Sequence, residues 1–105
     1  MAIKRKEHRM GAEQFRQRAS GSSAKEAFKK ALEEALYNYG HAGYTGTLAE
    51  KDDFIEIPLP EGEDGMSYTT KLLDECDERI DDKWGPAGCI SLGNNKYIFF
   101  GWSPT

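Results

Sequence analysis

The sequence is expected to fold as one α+β domain: a four-stranded antiparallel sheet made of two hairpins, two helices on one face, and a flexible basic arm at the N-terminus. Three observations predict this. Apolar residues recur at three- to four-residue spacing in two separate segments, the signature of amphipathic helices. Each segment is followed by strand-like sequence broken by turn residues. The pattern aromatic-Gly-X-Ala-Gly occurs at the end of both segments, as Tyr39-Gly40-His41-Ala42-Gly43 and as Trp84-Gly85-Pro86-Ala87-Gly88. One unit used twice then gives an αββαββ pseudo-repeat.

The elements follow in order. Residues 1–21 are polar and run into Ser20-Gly21-Ser22-Ser23, which reads as a mobile arm with a short nascent helix around Ala12–Arg18. The rest, residues 22–105, forms the domain. Ser23 and Glu26 have the spacing of a capping box, in which each side chain satisfies an amide that the first helical turn leaves unpaired. Ala24, Ala27, Phe28, Ala31, Leu32, Ala35, Leu36 and Tyr39 then form one apolar stripe, and its alanines imply close approach to the layer beneath. Gly40 suits the left-handed residue that ends such a helix.

Residues 44–60 read as the first hairpin, with Thr45–Glu50 and Phe54–Leu59 as its arms and Lys51-Asp52-Asp53 as its turn. In the second arm Ile55, Ile57 and Leu59 share one face, and Phe54 and Glu56 the other. Pro58 puts the end of that strand at an edge of the sheet or past the ladder. The acidic stretch Pro60–Gly65 marks the joint between the two halves. A second helix is expected from Ser67 to Trp84, with Thr69, Leu72, Leu73, Cys76, Ile80 and Trp84 inward and Asp74, Glu75, Asp77, Glu78, Asp81 and Asp82 outward. Gly85-Pro86 ends it. Cys89–Leu92 and Lys96–Trp102 flank Gly93-Asn94-Asn95 as the second hairpin. Tyr97-Ile98-Phe99-Phe100-Gly101-Trp102 is apolar on both faces, as in a strand that is central or covered on both sides.

The totals bound the function. A chain of 105 residues buries one modest core, with no room for a separate catalytic lobe. Charged residues make up 30% and aromatics 11%, which excludes a disordered chain. Of 14 basic and 18 acidic residues, six basic and two acidic ones lie in residues 1–21. A basic arm is thus joined to an acidic body. Cys76 and Cys89 are too few for a disulfide framework and read as buried small apolar residues. The start of the sequence lacks the apolar region of a secretory signal, and no run approaches the ~20 residues of a membrane span, so a cytoplasmic protein is expected.

Five constellations are candidates for chemistry. Gly40–Thr47 is glycine-rich, but it follows a helix and lacks the Gly-Lys-Ser/Thr signature, so a helix stop outweighs a phosphate loop. His41, with Tyr44 and Thr45 beside it, is the candidate loop site of a small enzyme, with Cys89 as the nucleophile it could activate. The two histidines and two cysteines do not have zinc spacing, and no cofactor is expected. The acids Asp74, Asp77, Glu78 and Asp81 form either a solvated helix face or a mimic of nucleic acid that fills a basic groove. Lys4, Arg5, Lys6 and Arg9, with Arg16 and Arg18, could hold a phosphate backbone without sequence preference. Phe100 and Trp102 head an aromatic surplus on the last strand that could make a docking surface or a dimer interface.

The stretches Gly43-Tyr44-Thr45-Gly46-Thr47-Leu48-Ala49-Glu50-Lys51 and Tyr97–Trp102 resemble small uncharacterised proteins of bacteria and their phages, over roughly residues 22–102. The resemblance implies a source class and carries no activity and no site residues. The expected function is therefore a non-enzymatic interaction module that binds another protein, or a second copy of itself, through the aromatic sheet face or the acidic helix. The alternatives are a nucleic-acid accessory protein using the basic arm and a small enzyme with its site at the His41 loop.

Overall fold

The computed structural model describes residues 11–40 and 43–105. It is an α+β fold with a four-stranded sheet and two helices. The strands are β1 (Ala12–Ser20), β2 (Phe54–Glu56), β3 (Ala87–Gly93) and β4 (Lys96–Pro104), and the helices are α1 (Ala24–Tyr39) and α2 (Gly65–Asp74). A single 3-10 turn, Leu48–Glu50, precedes β2. The order across the sheet is β1-β4-β3-β2. β4 is antiparallel to both its neighbours, whereas β2 runs parallel to β3. The sheet is mixed, not the antiparallel pair of hairpins that the sequence suggests.

The first difference is at the N-terminal segment. Residues 12–20 are not part of a mobile arm, and the helix expected around Ala12–Arg18 is a strand. β1 pairs with β4 along its whole length, from Ala12 opposite Pro104 to Ser20 opposite Lys96. Phe15 is its one buried side chain, so no alternating pattern announces it. What fixes it is β4, whose second edge would otherwise hold a row of unpaired amides and carbonyls. Arg16 and Gln17 then clamp β1 from opposite sides. Arg16 donates from Nε to Thr69 Oγ1 at 3.0 Å and from Nη2 to Thr70 Oγ1 at 2.8 Å, on α2. Gln17 donates from Nε2 to the Ala31 carbonyl at 2.7 Å, on α1.

The second difference is that the helices lie on opposite faces. Successive residues of a strand point to opposite sides, and β4 uses both. Phe99 packs with Phe28, Ala31 and Ala35 of α1, together with Phe15, Leu48 and Cys89. Ile98, Phe100 and Trp102 pack with Leu72 and Leu73 of α2, together with Ile57, Ile80 and Ile90. The alanine stripe of α1 lets it approach closely: Ala27 and Ala35 are fully buried. Phe28 meets Phe99 edge-on, with ring centroids 5.4 Å apart. The expected cap forms, since Ser23 Oγ accepts from the Glu26 amide at 3.1 Å, while Glu26 Oε1 reaches the Ser22 amide at 2.7 Å, one residue before the cap, instead of that of Ser23.

The third difference concerns the expected αββαββ repeat. The order observed is β-α-β-α-β-β. Thr45–Glu50 is not a strand, and β2 is joined to β3 through α2, because parallel neighbours need a crossover. β2 is an edge strand and ends at Glu56, two residues before Pro58, so the proline lies past the end of the strand. Phe54 faces the α1 cluster while Ile57 and Leu59 face the α2 cluster, as the alternation predicts, but Ile55, expected beside them, is exposed. The two aromatic-Gly-X-Ala-Gly motifs meet different needs. Gly40 and Gly43 both have φ of +87° and open space where a Cβ would stand. Gly88 lies within β3, where a Cβ would fall 2.7 Å from the Phe100 ring and 2.9 Å from Ile80 Cγ2. The shared letters reflect left-handed backbone in one place and lack of space in the other.

The second helix is shorter than expected. Asp64 caps it, accepting from the Ser67 amide at 3.0 Å, in place of Ser67 itself. It ends at Asp74, and Cys76 takes a φ of +54°, which no helix can continue through. Residues 75–86 are turns and irregular chain, so Trp84 is not buried on a helix stripe.

Gly88→Ala is expected to destabilise the fold by roughly 2 kcal/mol through overpacking against Phe100. Gly43→Ala meets no neighbour and should cost about 1 kcal/mol of backbone strain. Urea unfolding of the two variants checks this, and an equal or smaller loss for Gly88→Ala would refute the steric role of Gly88.

Candidate functional site at the shared end of the strands

β1, β2 and β3 all run one way and β4 the other, so Gly11, residues 43–53, residues 75–86 and Thr105 converge at one end of the sheet. Backbone bonds sew them together: Thr105 N to Gly11 O at 3.0 Å, Gly46 N to Pro104 O at 2.9 Å, and Ala87 N to Asp53 O at 3.0 Å. Lys83 Nζ reaches the Gly11 carbonyl as well, at 3.2 Å.

Lys51 pins this end. Its side chain is 2% exposed, and Nζ donates to the Lys83 carbonyl at 3.0 Å and to the Gly85 carbonyl at 2.8 Å. The ammonium also lies 6.0 Å from the centre of the Phe15 ring. Burial disfavours the charged form and brings the Lys51 pKa down to about 8, with Asp82 opposing the shift. Residues 43–50 are held by a second set of bonds. Glu50 Oε2 accepts from the Thr45 amide at 3.0 Å and from Thr45 Oγ1 at 2.8 Å, and the Thr45 and Thr47 hydroxyls are 2.7 Å apart. Burial raises the Glu50 pKa, but the hydrogen bonds from Thr45 and the Tyr44 backbone outweigh it and leave the group below the usual carboxylate range.

These two anchored loops present two aromatic rings. Tyr44 sits at a φ of +56° and is 64% exposed; Trp84 is 66% exposed. Their centroids are 6.2 Å apart at an interplanar angle of 88°, an edge-to-face contact. Asp82 shapes the turn beneath, its Oδ1 accepting from the Trp84 amide at 2.9 Å and its carbonyl from the Gly85 amide at 2.9 Å. Lys83 Nζ stands 5.4 Å from the centre of the Trp84 ring. Beside Trp84 lies an open hollow of about 260 Å³ lined by Glu50, Asp52, Asp53, Trp84, Gly85 and Pro86.

Of the residues singled out in the sequence, only Tyr44 and Thr45 come into this site, and Thr45 serves to fix the loop. His41, Lys4, Arg5, Lys6 and Arg9 lie outside the described residues. Phe100 and Trp102 are not a surface: they are 0% and 3% exposed, because α2 covers the face expected to be open. The acids do not share a helix face either. Asp74 is the last residue of α2, Glu78 is exposed in the following turns, and Asp81 is 8% exposed. Asp77 is engaged by Arg79, whose Nε and Nη2 donate at 2.9 and 2.8 Å and hold the carboxyl below its ordinary pKa. Cys89 lacks the first requirement of a nucleophile: it is 1% exposed, and burial pushes its thiol up to about 12. Cys76 is half-buried, so only one cysteine matches the expectation of two buried thiols. Among the described residues no three His, Cys, Asp or Glu side chains are placed to hold a metal ion, and no helix is long and apolar enough to cross a membrane.

Sequence reasoning missed Trp84 and Lys51. Trp84 had a signal, since Gly85-Pro86 directly behind it favours a loop over a helix stripe. Lys51 had none, because a lysine in an acidic turn gives no sign of burial.

Two outcomes test this end of the molecule. In the native protein, alkylation by iodoacetamide at pH 8 should modify Cys76 first and leave Cys89 untouched until urea unfolds the chain, as read by mass spectrometry of the peptides; early labelling of Cys89 would contradict its burial. Between pH 8 and the ordinary lysine value of 10.5, the unfolded chain holds a proton at Lys51 that the folded one has released. Stability contributed by this group therefore rises with pH through that window. The gap in unfolding free energy between wild type and Lys51→Met should shift by about 1–2 kcal/mol in favour of wild type from pH 7.5 to 9.5; a constant gap would show that Lys51 does not titrate there.

A scan against protein-family models, a search of curated proteins and a search of solved structures each returned no match for this chain.

Proposed function

We propose that the chain is a protein-interaction module without a catalytic role, and that it binds its partner through the Tyr44–Trp84 pair. The observation that carries this reading is the exposure of two large aromatic rings, each about two-thirds open to solvent, on loops held by the buried Lys51 and the half-buried Glu50. Aromatic side chains lose little conformational entropy on binding and supply large contact area, which is why they dominate binding energy at interfaces. Trp84 lies outside both core clusters, and with Tyr44 it forms a contiguous aromatic patch rather than a lone exposed ring. The rigid presentation lowers the entropy that binding would otherwise cost.

Affinity capture from the native host, with wild type compared against Trp84→Ala and Tyr44→Ala, tests the reading. Both variants should keep the wild-type melting temperature within a few degrees and lose the partner that wild type retains, each by about tenfold or more. A partner captured equally by all three proteins, or one recovered as nucleic acid whose binding falls steeply with salt, would exclude this surface as the functional one.

A further inference from the structure

We infer that the hollow beside Trp84 receives a basic side chain, arginine or lysine, from a peptide segment of the partner protein. This rests on the interaction reading above and names the chemistry of the partner at the same surface. The hollow has one aromatic wall, Trp84, and three carboxylate-bearing residues, Glu50, Asp52 and Asp53, with no basic side chain lining it. Asp82, at the base of the Trp84 turn, adds a fourth carboxylate near by. An indole face attracts a cation through its quadrupole, most strongly for tryptophan. The chain already uses the ring in this way, with Lys83 Nζ 5.4 Å from its centre.

The remaining charge near this wall is accounted for. The Lys51 ammonium is buried and turned to the Lys83 and Gly85 carbonyls, so it does not line the hollow. Glu50 and Asp53 each have one carboxylate oxygen engaged by the backbone, Glu50 with Thr45 and Asp53 with Phe54. Those bonds fix the carboxylates in place without removing their charge. Asp52 is exposed at the rim. A guanidinium entering between the carboxylates and the indole would combine charge-assisted hydrogen bonds with stacking on the ring. An acidic or purely apolar segment would meet three carboxylates and gain neither.

The test uses the full chain and a synthetic hexa-arginine peptide, with hexaglutamate as the control. The protein has two tryptophans, and their indole N–H signals in an NMR spectrum separate the exposed Trp84 from the buried Trp102. Trp84→Ala assigns them. Hexa-arginine should move the Trp84 signal saturably and leave Trp102 in place. By calorimetry at low salt, Asp52→Asn with Asp53→Asn should weaken the peptide by about tenfold, and so should Trp84→Ala. Asparagine keeps the Asp53 acceptor for the Phe54 amide, so the loop stays capped. Hexa-arginine binding that both variants retain within twofold would overturn the inference, as would hexaglutamate moving the Trp84 signal instead. If Trp84→Ala abolishes partner capture while hexa-arginine does not move Trp84, the interaction reading stands and the basic-side-chain assignment falls.

Discussion

β4 has two edges to pair and two apolar faces to cover, and the rest of the molecule is arranged around those four demands. Its edges are taken by β1 and β3. Its faces are taken by α1, over Phe99, and by α2, over Ile98, Phe100 and Trp102. Phe99 and Phe100 are both fully buried although they are adjacent, which is possible only with a layer on each side of the sheet. Burying either ring is worth about 2–3 kcal/mol, so an arrangement with both helices on one face would forfeit more than any local propensity could restore.

This demand explains features that look unrelated. A helix on each face requires that the chain cross the sheet by both routes, so α1 carries it from one edge strand, β1, to the other, β2, and α2 carries it back to β3. Three strands then point the same way, and their incoming loops gather at one end. It also explains why β1, with one buried side chain, is a strand at all: β4 supplies the pairing, and Arg16 and Gln17 reach the two helices from opposite sides. The gathered loops need a common anchor, and Lys51 is it. Burying that lysine disfavours its charge, and the two carbonyls it joins, on Lys83 and Gly85, hold the turn that carries Trp84.

What could be read from the sequence follows the same division. The helix cap at Ser23, the alanine stripe of α1, the two-faced apolar strand and the strand end implied by Pro58 are local patterns whose cause lies within a few residues, and the structure contains each of them. β1, the parallel pairing of β2 and the early end of α2 are set by partners far along the chain, and local pattern misleads there. Ile80 and Trp84 continue the spacing of Leu72 and Leu73, yet the backbone reverses at Cys76 between them. Ile80 still reaches the core by another path, while Trp84 does not. The site shows the same limit. The sequence singles out Tyr44 as a neighbour of His41 in a candidate enzyme loop; its contact with Trp84 joins two loops whose meeting depends on strand direction, which no spacing encodes.

The repeated aromatic-Gly-X-Ala-Gly pattern bears on the surface in a way a duplication would not. In the first copy the described glycines have positive φ, and Tyr39 before them and Tyr44 after them are both exposed; in the second, Gly88 is already inside β3, and the exposed aromatic is the first residue of the motif, Trp84. The two copies therefore contribute from opposite sides of their glycines, one ring after and one before, and the rings meet edge to face. A core aromatic is held by packing on all sides. These two are held by their backbones, through Glu50 under one and Lys51 and Asp82 under the other, and by their contact with each other and with Lys83. Loops fixed from below that leave two rings bare above are the feature on which the proposed interaction rests, because less ordering is left for binding to impose.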